Sequence, residues 1–566
     1  MPAQTKFGMP GFLNEQRLLL GPWQAFERDV ARLLLANGFE DVRIVAGTGD
    51  HGGDVLAVNG GELWVCQCKH TTSGPPPSSA VAEVVQAARY YKADRILIAT
   101  SRPPGDGFNQ ERMRFQRLGL RIQLANPAVL LDLMKNTPEY PASRKTLRGY
   151  QEDTSKRFRE ALVDTGRAQI ILATGLGKTV VMADAVADLL SDELIAEDRV
   201  LVVAHTKEIV AQLHRAFWHQ LPKWVPTHHL AEGEAPSFWS GVTFATVQSV
   251  KSKLPTLPRF GLILVDEAHH IGASTFRFAI DELKPKMLGG VTATPWRGDG
   301  YDLDQILGPP VVRIGIAEGL QKGFLSEVDY RLMADNLDWE FVQRASKHMY
   351  SLSQLNRKLI IPVRDEQAVR LIKEVFEKES RRGGVVFSPT IAHAEHFAAM
   401  LRRYDFKAEA LSSEMPPRDR DIVMARFRSG ELQIVTTVDL FNEGVDIPDV
   451  DFIVFMRVTH SRRIFVQQLG RGLRVTPQKD KVIVIDFVTD LRRVAEVVEL
   501  DRVVRSESVE HLGLGRHLVQ FADRSAGTFL KEWVLDQASL FLREDDPSIE
   551  MPVFDYPPCP PPGAVQ

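Results

Sequence analysis

A glycine-containing loop, ATGLGKT (residues 173–179), is the feature that most constrains the fold of this chain. The apolar residues 169–173 lead into the loop and predict a buried strand, whereas VVMADAVADLL (residues 180–190) predicts a helix after it. The loop departs from the full eight-residue phosphate-loop pattern, because Leu172 stands where the first glycine would be. The order of strand, loop and helix is the context that such a loop requires, so the sequence predicts an α/β domain here.

The residue types in this loop predict contacts with a nucleoside triphosphate. Gly175 and Gly177 allow the backbone around Thr174 to curl so that its N–H groups face the phosphates. Lys178 is then placed for the β- and γ-phosphates, and Thr179 for Mg²⁺. ATP and Mg²⁺ are therefore the expected cofactors.

A second buried-strand pattern, residues 261–265, ends in an acidic pair. Open α/β sheets place their ligand chemistry at the carboxyl ends of the strands. We expect Asp266 to hold Mg²⁺, and we expect Glu267 to orient and deprotonate the attacking water, because phosphoryl transfer depends mainly on positioning and charge neutralisation.

A series of motifs over residues 146–490 resembles the DEAH-type helicases and translocases of superfamily 2, including the motors of type I restriction enzymes. The motifs, in family order, are LRGYQ (147–151), ATGLGKT (173–179), VVAHTKEIVAQL (202–213), FATVQSV (244–250), VDEAHH (265–270), TATP (292–295), VVFSPT (385–390), TTVDLFNEGVDIPDV (436–450) and QQLGRGLR (467–474). The resemblance implies two tandem RecA-like domains that move along a nucleic-acid strand.

The resemblance also assigns roles to single residues. Gln151 would contact the adenine, and His269 would link the nucleotide state to the second motor domain. The other nucleotide contacts that it implies in the second domain are Gly444, Asp446 and the arginine fingers Arg471 and Arg474. Because such arginines stabilise charge on the transferred phosphoryl group, hydrolysis would require a closed cleft, and repeated opening and closing would drive movement.

The N-terminal residues carry a second set of candidate catalytic groups. Glu27 lies in a helical pattern at the edge of its apolar face, and Asp54 follows two glycines. In ELWVCQCKH the alternation places Gln67 and Lys69 on one face of a strand. An acidic group together with a second oxygen ligand, two residues before a lysine, can hold Mg²⁺ and polarise a water against a phosphodiester.

This order over residues 15–140 resembles the Mrr-type branch of the PD-(D/E)xK restriction endonucleases. The resemblance implies Asp54, Gln67 and Lys69 as the core of the site, with Asp54 and Gln67 as metal ligands and Glu27 as an auxiliary acid. Gln67 stands where most of the wider fold has glutamate, although glutamine is usual in the Mrr branch, so the site holds one negative charge fewer. Two alternatives remain open: a solvated strand face with no metal, and an inactive module that only binds DNA.

Composition restricts the cellular setting and the kind of site. The net charge of −4 predicts that nucleic acid binds in local grooves and not through a global field. No apolar run is long enough to span a membrane, and the N-terminus lacks a signal peptide, so we expect a soluble cytoplasmic protein. Only Cys66, Cys68 and Cys559 are present, too few for a disulfide framework or a four-cysteine zinc site, and the strand cysteines are expected to pack in a core.

The patterns together predict an α/β protein with five segments. These are an endonuclease-like domain (1–145), a first RecA-like domain (146–312), a second RecA-like domain (313–490), a helical C-terminal region (491–545) and a proline-rich tail (546–566). Within the second domain, residues 313–375 are expected to bridge the two motor halves. Consecutive prolines in TTSGPPPSS (71–79) predict a loop beside the nuclease residues that could gate DNA.

The functional expectation is an ATP-dependent motor on double- or single-stranded DNA, coupled to a Mg²⁺-dependent endonuclease in restriction of foreign DNA. Other proteins of a restriction system are conceivable partners. One alternative is a repair or recombination helicase whose nuclease-like domain only binds DNA. Another is an RNA remodelling helicase, which the nuclease resemblance disfavours because Mrr-type modules act on DNA.

Overall fold

The computed structural model describes most of the chain. The described residues are 11–45, 52–231, 233–293, 303–333, 348–358, 365–438, 450–456, 481–487, 491–506, 519–521 and 548–550, with the single positions Asp338, Phe341, Arg344, Gly472, Leu473, Val475, Lys479, Trp533 and Gln537. The chain divides into two compact units, Met1–Leu172 with Gly177–Arg313, and Ala173–Leu176 with Ile314–Gln566. None of the helices in the described residues is long and apolar enough to cross a membrane.

The first unit begins with a mixed sheet in the order β1-β2-β3-β4-β5, antiparallel from β1 to β3 and parallel from β3 to β5. Its strands are β1 (Glu40–Ile44), β2 (Val55–Asn59), β3 (Glu62–Lys69), β4 (Arg95–Thr100) and β5 (Ile122–Ala125). Its helices are α1 (Glu15–Leu19), α2 (Trp23–Ala36), α3 (Ser79–Tyr91), α4 (Asp106–Arg117) and α5 (Pro127–Asn136).

Alternation along β3 separates two cores. Cys66 and Cys68 pack with the apolar side of α2, whereas Val65 packs with α3 and α4. The cysteines are buried with their sulfurs 3.9 Å apart, which confirms the prediction that they serve packing. Gln67 therefore faces the α3 side, between the two cysteines in sequence but opposite to them in space.

A parallel sheet forms the rest of the first unit, in the order β12-β6-β11-β10-β7-β9-β8. Its strands are β6 (Arg167–Leu172), β7 (Arg199–Ala204), β8 (Thr227–Leu230), β9 (Gly241–Thr246), β10 (Leu262–Asp266), β11 (Met287–Thr292) and β12 (Pro310–Ile314). Its helices are α6 (Gly149–Thr165), α7 (Lys178–Ser191), α8 (Lys207–Trp218), α9 (Val247–Lys253), α10 (Ser274–Leu283) and α11 (Asp304–Leu307). The strands are almost continuously apolar because helices cover both faces of such a sheet.

The second unit contains another parallel sheet, in the order β16-β17-β15-β18-β19-β13-β20, and a two-stranded pair of β14 and β21. Its strands are β13 (Glu327–Met333), β14 (Met349–Ser351), β15 (Gly384–Phe387), β16 (Ala408–Leu411), β17 (Ile434–Thr437), β18 (Phe452–Phe455), β19 (Lys481–Phe487), β20 (Val519–Phe521) and β21 (Ser548–Glu550). Its helices are α12 (Ile316–Gln321), α13 (Leu352–Lys358), α14 (Asp365–Lys378), α15 (Ile391–Arg403), α16 (Pro417–Arg428) and α17 (Leu491–Ser506). The predicted α/β class with two parallel-sheet motor domains is confirmed.

Two expectations about the second half need correction. Part of residues 313–375 does more than bridge, because β13 lies inside the second sheet between β19 and β20. The region 491–545 is not purely helical: α17 is present as expected, but β20 adds a strand to that sheet. Strand β21 lies in the segment predicted as the proline-rich tail and pairs with β14. The helix expected near residue 533 and the proline-rich residues 554–566 lie outside the described residues, apart from Trp533 and Gln537.

Helices α1 and α2 join the first domain to the parallel sheet of the same unit through arginines, Arg17 on α1 and Arg28 and Arg32 on α2. The Arg17 guanidinium pairs with both carboxylate oxygens of Asp29, at 2.7 and 3.2 Å, and donates to the Thr227 carbonyl at 2.8 Å. Arg28 pairs with Glu234, and Arg32 donates to the carbonyls of two further motor residues, Pro222 at 3.2 Å and Val225 at 2.7 Å. Trp218 of α8 packs into the apolar cluster that contains the α2 core.

The hydrogen bonds of His228 fix its protonation state at this junction. Its Nε2 lies 2.9 Å from the Ser240 carbonyl, which can only accept, so Nε2 carries the proton. Its Nδ1 lies 2.9 Å from the Arg17 guanidinium, which can only donate, so Nδ1 is the acceptor. Burial first, and then the Arg17 charge, hold the pKa of His228 well below its ordinary value. His228 is therefore a neutral, structural histidine.

We expect Arg17→Ala to lower the unfolding free energy of the first unit by about 3–5 kcal/mol, because it leaves a buried charge without its partner. Asp29 is 3% exposed, and Arg17 is the only residue to which its carboxylate is hydrogen bonded within the described part of the chain. The measurement is urea unfolding followed by the fluorescence of buried tryptophans such as Trp218. The matched control is Arg114→Ala, which removes a surface arginine that is 70% exposed and should change the midpoint little. Equal midpoints for the two variants would contradict the prediction.

Candidate nucleotide and nuclease sites

The first parallel sheet brings the predicted nucleotide residues to one edge. Asp266 is the last residue of β10 and lies opposite Val291 of β11, and Thr292 of β11 lies opposite Ile171 of β6. The glycine loop begins directly after β6, and Lys178 opens α7. Because these parallel strands end at the same edge, the loop and the acidic pair are neighbours across one intervening strand.

Glu267 connects the lysine of the loop to two polar groups of the sheet edge. Its Oε1 lies 3.7 Å from Lys178 Nζ, and its Oε2 lies 3.3 Å from His269 Nδ1. Thr292 Oγ1 lies 3.4 Å from the same Oε2 and 3.0 Å from His269 Nδ1. Glu267 has φ 49° and ψ 54°, a left-handed conformation that is rare for glutamate and costs about 1–3 kcal/mol at such sites. The backbone is strained to aim this carboxylate.

Asp266 has the burial and the oxygen donor that a cation ligand requires. Burial, followed by the charge of Glu267, raises its pKa to about 7, although Lys178 opposes the rise. Its Oδ1 is buried and has no hydrogen-bond partner among the described residues. A divalent cation beside this oxygen would satisfy it and would reverse the pKa rise, so the donor set fits the group that the sequence predicts.

Gln151 is held against the loop. Its side-chain Oε1 accepts from the Arg148 N–H at 2.9 Å at the start of α6. Gly177 has φ 86°, which favours glycine, and a Cβ atom there would lie 2.4 Å from Gln151 Nε2. The adenine-contacting candidate therefore lies against the phosphate loop.

Three other predicted residues of the nucleotide site lie in the glycine loop or at the start of the helix that follows it. Thr179 lies in the first turn of α7, and Gly175 has φ 94°, as a tightly turned loop requires. Thr174 precedes it in the loop. The second-domain residues of the prediction lie outside the described residues: Gly444, Asp446, Arg471 and Arg474. The end of the TATP motif, from Thr294, lies outside them as well.

The structure brings Gln67 and Lys69 together through a residue that the sequence reasoning missed, Glu83. Lys69 Nζ donates to Glu83 Oε2 at 2.7 Å, and Gln67 Nε2 donates to the same oxygen at 2.9 Å. Gln67 is 1% exposed, and its Oε1 is buried without a hydrogen-bond partner in the described part of the chain. The alternative of a solvated strand face does not fit Gln67, because this side chain is buried.

Asp54 lies at the start of β2 beside the same strand. Its Oδ2 accepts from the Cys68 N–H at 2.6 Å, and its own N–H donates to the Cys66 carbonyl at 2.9 Å. A Cβ atom on Gly53 would meet Val65 at 2.9 Å, so the preceding glycine allows the loop to lie on β3. The motif GGD therefore packs the Asp54 backbone against the strand that carries Gln67 and Lys69.

Glu27 lies on α2, where the sequence predicted it at the edge of the apolar face, and its side chain is buried. The pKa of the Cys68 thiol is raised by burial first, then by Cys66, and further by the charges of Asp54 and Glu27. Both carboxylates thus act on the end of β3 electrostatically. The role of Glu27 as an auxiliary acid stays a prediction.

The nuclease residues can hold a divalent cation by oxygen. Asp54 supplies a carboxylate, and the unpartnered Gln67 Oε1 supplies a neutral oxygen of the kind that hard cations accept. Lys69 is partly exposed and can meet a phosphodiester. Three elements therefore contribute: the start of β2, the end of β3 and the first half of α3.

Glu83 and Thr292 were the residues that the motif reasoning did not find. Glu83 is the only charged residue in the otherwise small and apolar run AVAEVVQAA (80–88), and this isolated charge was the available signal. Thr292 was noted only as part of a motif, and its link to Glu267 and His269 depends on the register of β11 against β10.

Family comparisons assign the three regions separately. Residues 21–134 match the family described as restriction endonuclease, of the Mrr catalytic type. Residues 144–297 match the family described as type III restriction enzyme, res subunit, and residues 366–476 match the helicase conserved C-terminal domain. Every predicted motor residue from Gln151 to Arg474 lies within the last two ranges, and every predicted nuclease residue lies within the first.

Curated relatives are similar over about three fifths of the chain. The putative ATP-dependent helicase IRC3 of Saccharomyces cerevisiae is 25% identical over 358 residues, which cover 61% of this chain and 52% of that protein. The type I restriction enzyme EcoKI endonuclease subunit of Escherichia coli is 26% identical over 428 residues, covering 63% of this chain and 36% of that protein. The chain therefore spans about half the length of the first of these relatives and about a third of the second.

Among solved structures, the ATP-dependent Type ISP restriction-modification enzyme LlaBIII bound to DNA matches 94% of this chain with a TM-score of 0.53. The match covers 42% of that protein at 16% sequence identity. At this identity the likeness concerns the fold. It extends over the N-terminal domain as well as the motor, so the two share an arrangement of elements along the chain.

Proposed function

We propose, from the premise that this chain is a superfamily 2 helicase motor joined to an N-terminal Mrr-type restriction endonuclease domain, that it couples ATP-driven movement along DNA to DNA cleavage. The observation that carries the proposal is the presence of two separate oxygen-rich sites in one compact unit. One is built around Asp266 and Glu267, and the other around Asp54 and Gln67. Each has a buried oxygen without a partner among the described residues, Asp266 Oδ1 and Gln67 Oε1.

In the motor site, the chain's own residues would position ATP for hydrolysis. Lys178 would leave its 3.7 Å contact with Glu267 for the γ-phosphate, which has the greater negative charge. Glu267, held by His269 and Thr292, would then be free to orient the attacking water and take its proton. Asp266 would hold Mg²⁺, which neutralises charge on the β- and γ-phosphates when bound.

In the nuclease site, Lys69 would contact the scissile phosphate while Asp54 and Gln67 hold Mg²⁺. The cation, when bound, supplies a water of lowered pKa and stabilises charge at the phosphorus. Asp54 is anchored by the Cys68 N–H, so it would not need to move to take up the cation. Glu27 adds negative charge from the α2 side of the strand.

The decisive experiment is a plasmid cleavage assay with ATP and Mg²⁺. It compares the wild-type chain with Lys69→Ala and Lys178→Ala. Cleavage by the wild type that both variants lose supports coupling of the two sites. Cleavage that survives Lys178→Ala points to an uncoupled nuclease. Wild-type protein that cuts neither modified nor unmodified DNA, with Mg²⁺ or Mn²⁺, would favour a repair or recombination helicase whose first domain only binds DNA.

DNA is expected to stimulate ATP hydrolysis well above RNA of equal length, because the nuclease domain is of a DNA-acting type. The chain has a net charge of −4, so binding must use local lysines and arginines that release counterions from the phosphates. Half-maximal stimulation should therefore require steeply more DNA as salt rises from about 50 to 200 mM. The measurement is a steady-state ATPase titration with duplex DNA, single-stranded DNA and RNA. Stronger stimulation by RNA would support the remodelling alternative.

A role in restriction of foreign DNA is the setting that best unites the two sites. It rests on the restriction families that the two regions match, and it allows for further proteins of a restriction system as partners. A phage infection assay with the wild type and Lys69→Ala tests it. Equal plating efficiency on both would argue against the defence role while leaving the enzymatic proposal intact.

A further inference from the structure

Glu83 stands in an unusual place for a charged residue. It lies in the first half of α3, on the side that packs against β3, and one of its oxygens accepts from both Gln67 and Lys69. Neither the motifs nor the role described for the site accounts for it.

An ionised carboxylate can only accept hydrogen bonds, so Glu83 determines how the Gln67 amide is turned. The Gln67 NH₂ must face Glu83, and Oε1 must then face away from it. That oxygen is buried and has no partner in the part of the chain described. Leaving a buried carbonyl oxygen unpaired is unfavourable, and a cation beside that oxygen would remove the penalty.

Glu83 is also paired with a charged partner, because the Lys69 ammonium lies 2.7 Å from its Oε2. Because both donors share Oε2, the position of the Lys69 ammonium is tied to the orientation of the Gln67 amide. The Glu83 carboxylate thus fixes the positions of both the Gln67 amide and the Lys69 ammonium.

Close backbone packing holds α3 beside the loop that carries Asp54. A Cβ atom on Gly52 would lie 2.7 Å from Glu83 Cβ and 2.9 Å from its carbonyl carbon. Gly52 also has φ 85°, which favours glycine. The first glycine of GGD therefore permits an approach to α3 at Glu83 itself, so the Asp54 loop, β3 and α3 converge at this residue.

From these contacts we infer that Glu83 is a positioning residue of the nuclease centre, which supplies from α3 the negative charge that Gln67 does not carry on β3 and turns the Gln67 oxygen toward the metal. This inference rests on the proposed function. Glu83 would thus compensate for the missing charge of Gln67. The Gln67 amide oxygen would bind the metal, and the Glu83 carboxylate would orient that amide from α3.

The test uses the full chain and two readouts. Glu83→Gln should lower DNA cleavage and the affinity for Mn²⁺ by about 10–100-fold each, which is the usual effect of removing a partner that orients a metal ligand. Mn²⁺ is titrated without nucleotide by calorimetry. The same titration of the Asp54→Ala chain is subtracted, so that binding at the motor site cancels.

The reciprocal double variant Gln67→Glu with Glu83→Gln separates positioning from folding. It moves the carboxylate from α3 to β3 and keeps the hydrogen-bonding pair and the net charge, so it should recover most of the Mn²⁺ affinity that Glu83→Gln loses. The matched control is Glu62→Gln at the other end of β3. Glu62 bridges Arg95 and Arg121 and is 36% exposed, against 42% for Glu83, and its loss should leave both readouts unchanged.

Two results would overturn the inference. One is a Glu83→Gln chain that binds Mn²⁺ and cleaves like the wild type while Asp54→Ala is inactive. The other is Mn²⁺ binding that Asp54→Ala does not change, since there would then be no metal centre for Glu83 to organise. If no DNA is cleaved but Mn²⁺ affinity follows the expected order, the proposed cleavage fails and the role of Glu83 stands.

Discussion

DNA-stimulated ATP hydrolysis is expected to fall by about a hundredfold to a thousandfold in Lys178→Ala and in Glu267→Gln, because each removes a preorganised charge at the reacting phosphate. Both side chains meet in the 3.7 Å contact at the sheet edge, and neither fills an apolar core. The folded state should therefore persist, with an unfolding midpoint close to that of the wild type. The measurement is steady-state ATPase activity at saturating DNA, together with circular dichroism on heating.

The matched control for this prediction is Lys156→Ala. Lys156 is an exposed lysine on α6 of the same domain, in a long ion pair with Glu160. Its loss should not change the rate. Wild-type hydrolysis by either site variant would mean that the nucleotide binds elsewhere. Glu267→Gln retains the shape of the side chain, so a loss there reports the carboxylate and not the packing.

DNA cleavage is expected to fall by at least about a hundredfold in Asp54→Ala and in Lys69→Ala, because metal capture and charge stabilisation both act on the transition state. DNA-stimulated ATP hydrolysis should stay near the wild-type rate, since the nuclease groups lie on a different sheet from Asp266 and Glu267. Nicking and linearisation of a plasmid, followed over time with Mg²⁺, provide the measurement.

Exposed residues of the same types on α5, Asp132 and Lys135, supply matched controls as Asp132→Ala and Lys135→Ala. Both should cleave like the wild type. Glu27→Ala should be milder than Asp54→Ala, because an auxiliary acid tunes the site without defining it. Gln67→Glu should change the Mg²⁺ dependence of cleavage. Cleavage that persists in Asp54→Ala would place the nuclease centre elsewhere.

The strands of the motor and the reactive residues at their ends could be predicted because each is specified by neighbouring residues in the sequence. Residues 169–173 and 261–265 are apolar runs followed at once by the reactive groups, and parallel strands bring such ends to one edge regardless of the intervening chain. The same holds for Gln67 and Lys69, whose shared face follows from alternation along β3. The structure confirms these juxtapositions, while the chemical roles stay predictions.

Glu83 and the Arg17 network could not be predicted, because both depend on contacts between elements far apart in sequence. The Glu83 contact depends on which face of α3 packs against β3, and the spacing of apolar residues does not show that a charged residue lies on that face. Arg17 reaches His228, which is 211 positions away, and a pattern of apolar residues does not specify a polar pair. The strand β20 was missed for a similar reason: its three residues gain their conformation from pairing with β13.

Helix α2 is part of the first domain and also bonds to the motor, which limits how the first domain could be replaced by that of another protein. The helix carries Glu27, whose charge acts on the end of β3. Arg28 and Arg32 of the same helix bond to motor residues between positions 222 and 234. In a chimera that replaced only the first domain, the carbonyls of Pro222 and Val225 would lose their donor, and the Glu234 carboxylate would lose its ion pair with Arg28. Exchanging first domains between such motors would therefore require residues 218–234 of the motor, which contact α2, to be transferred together with that helix.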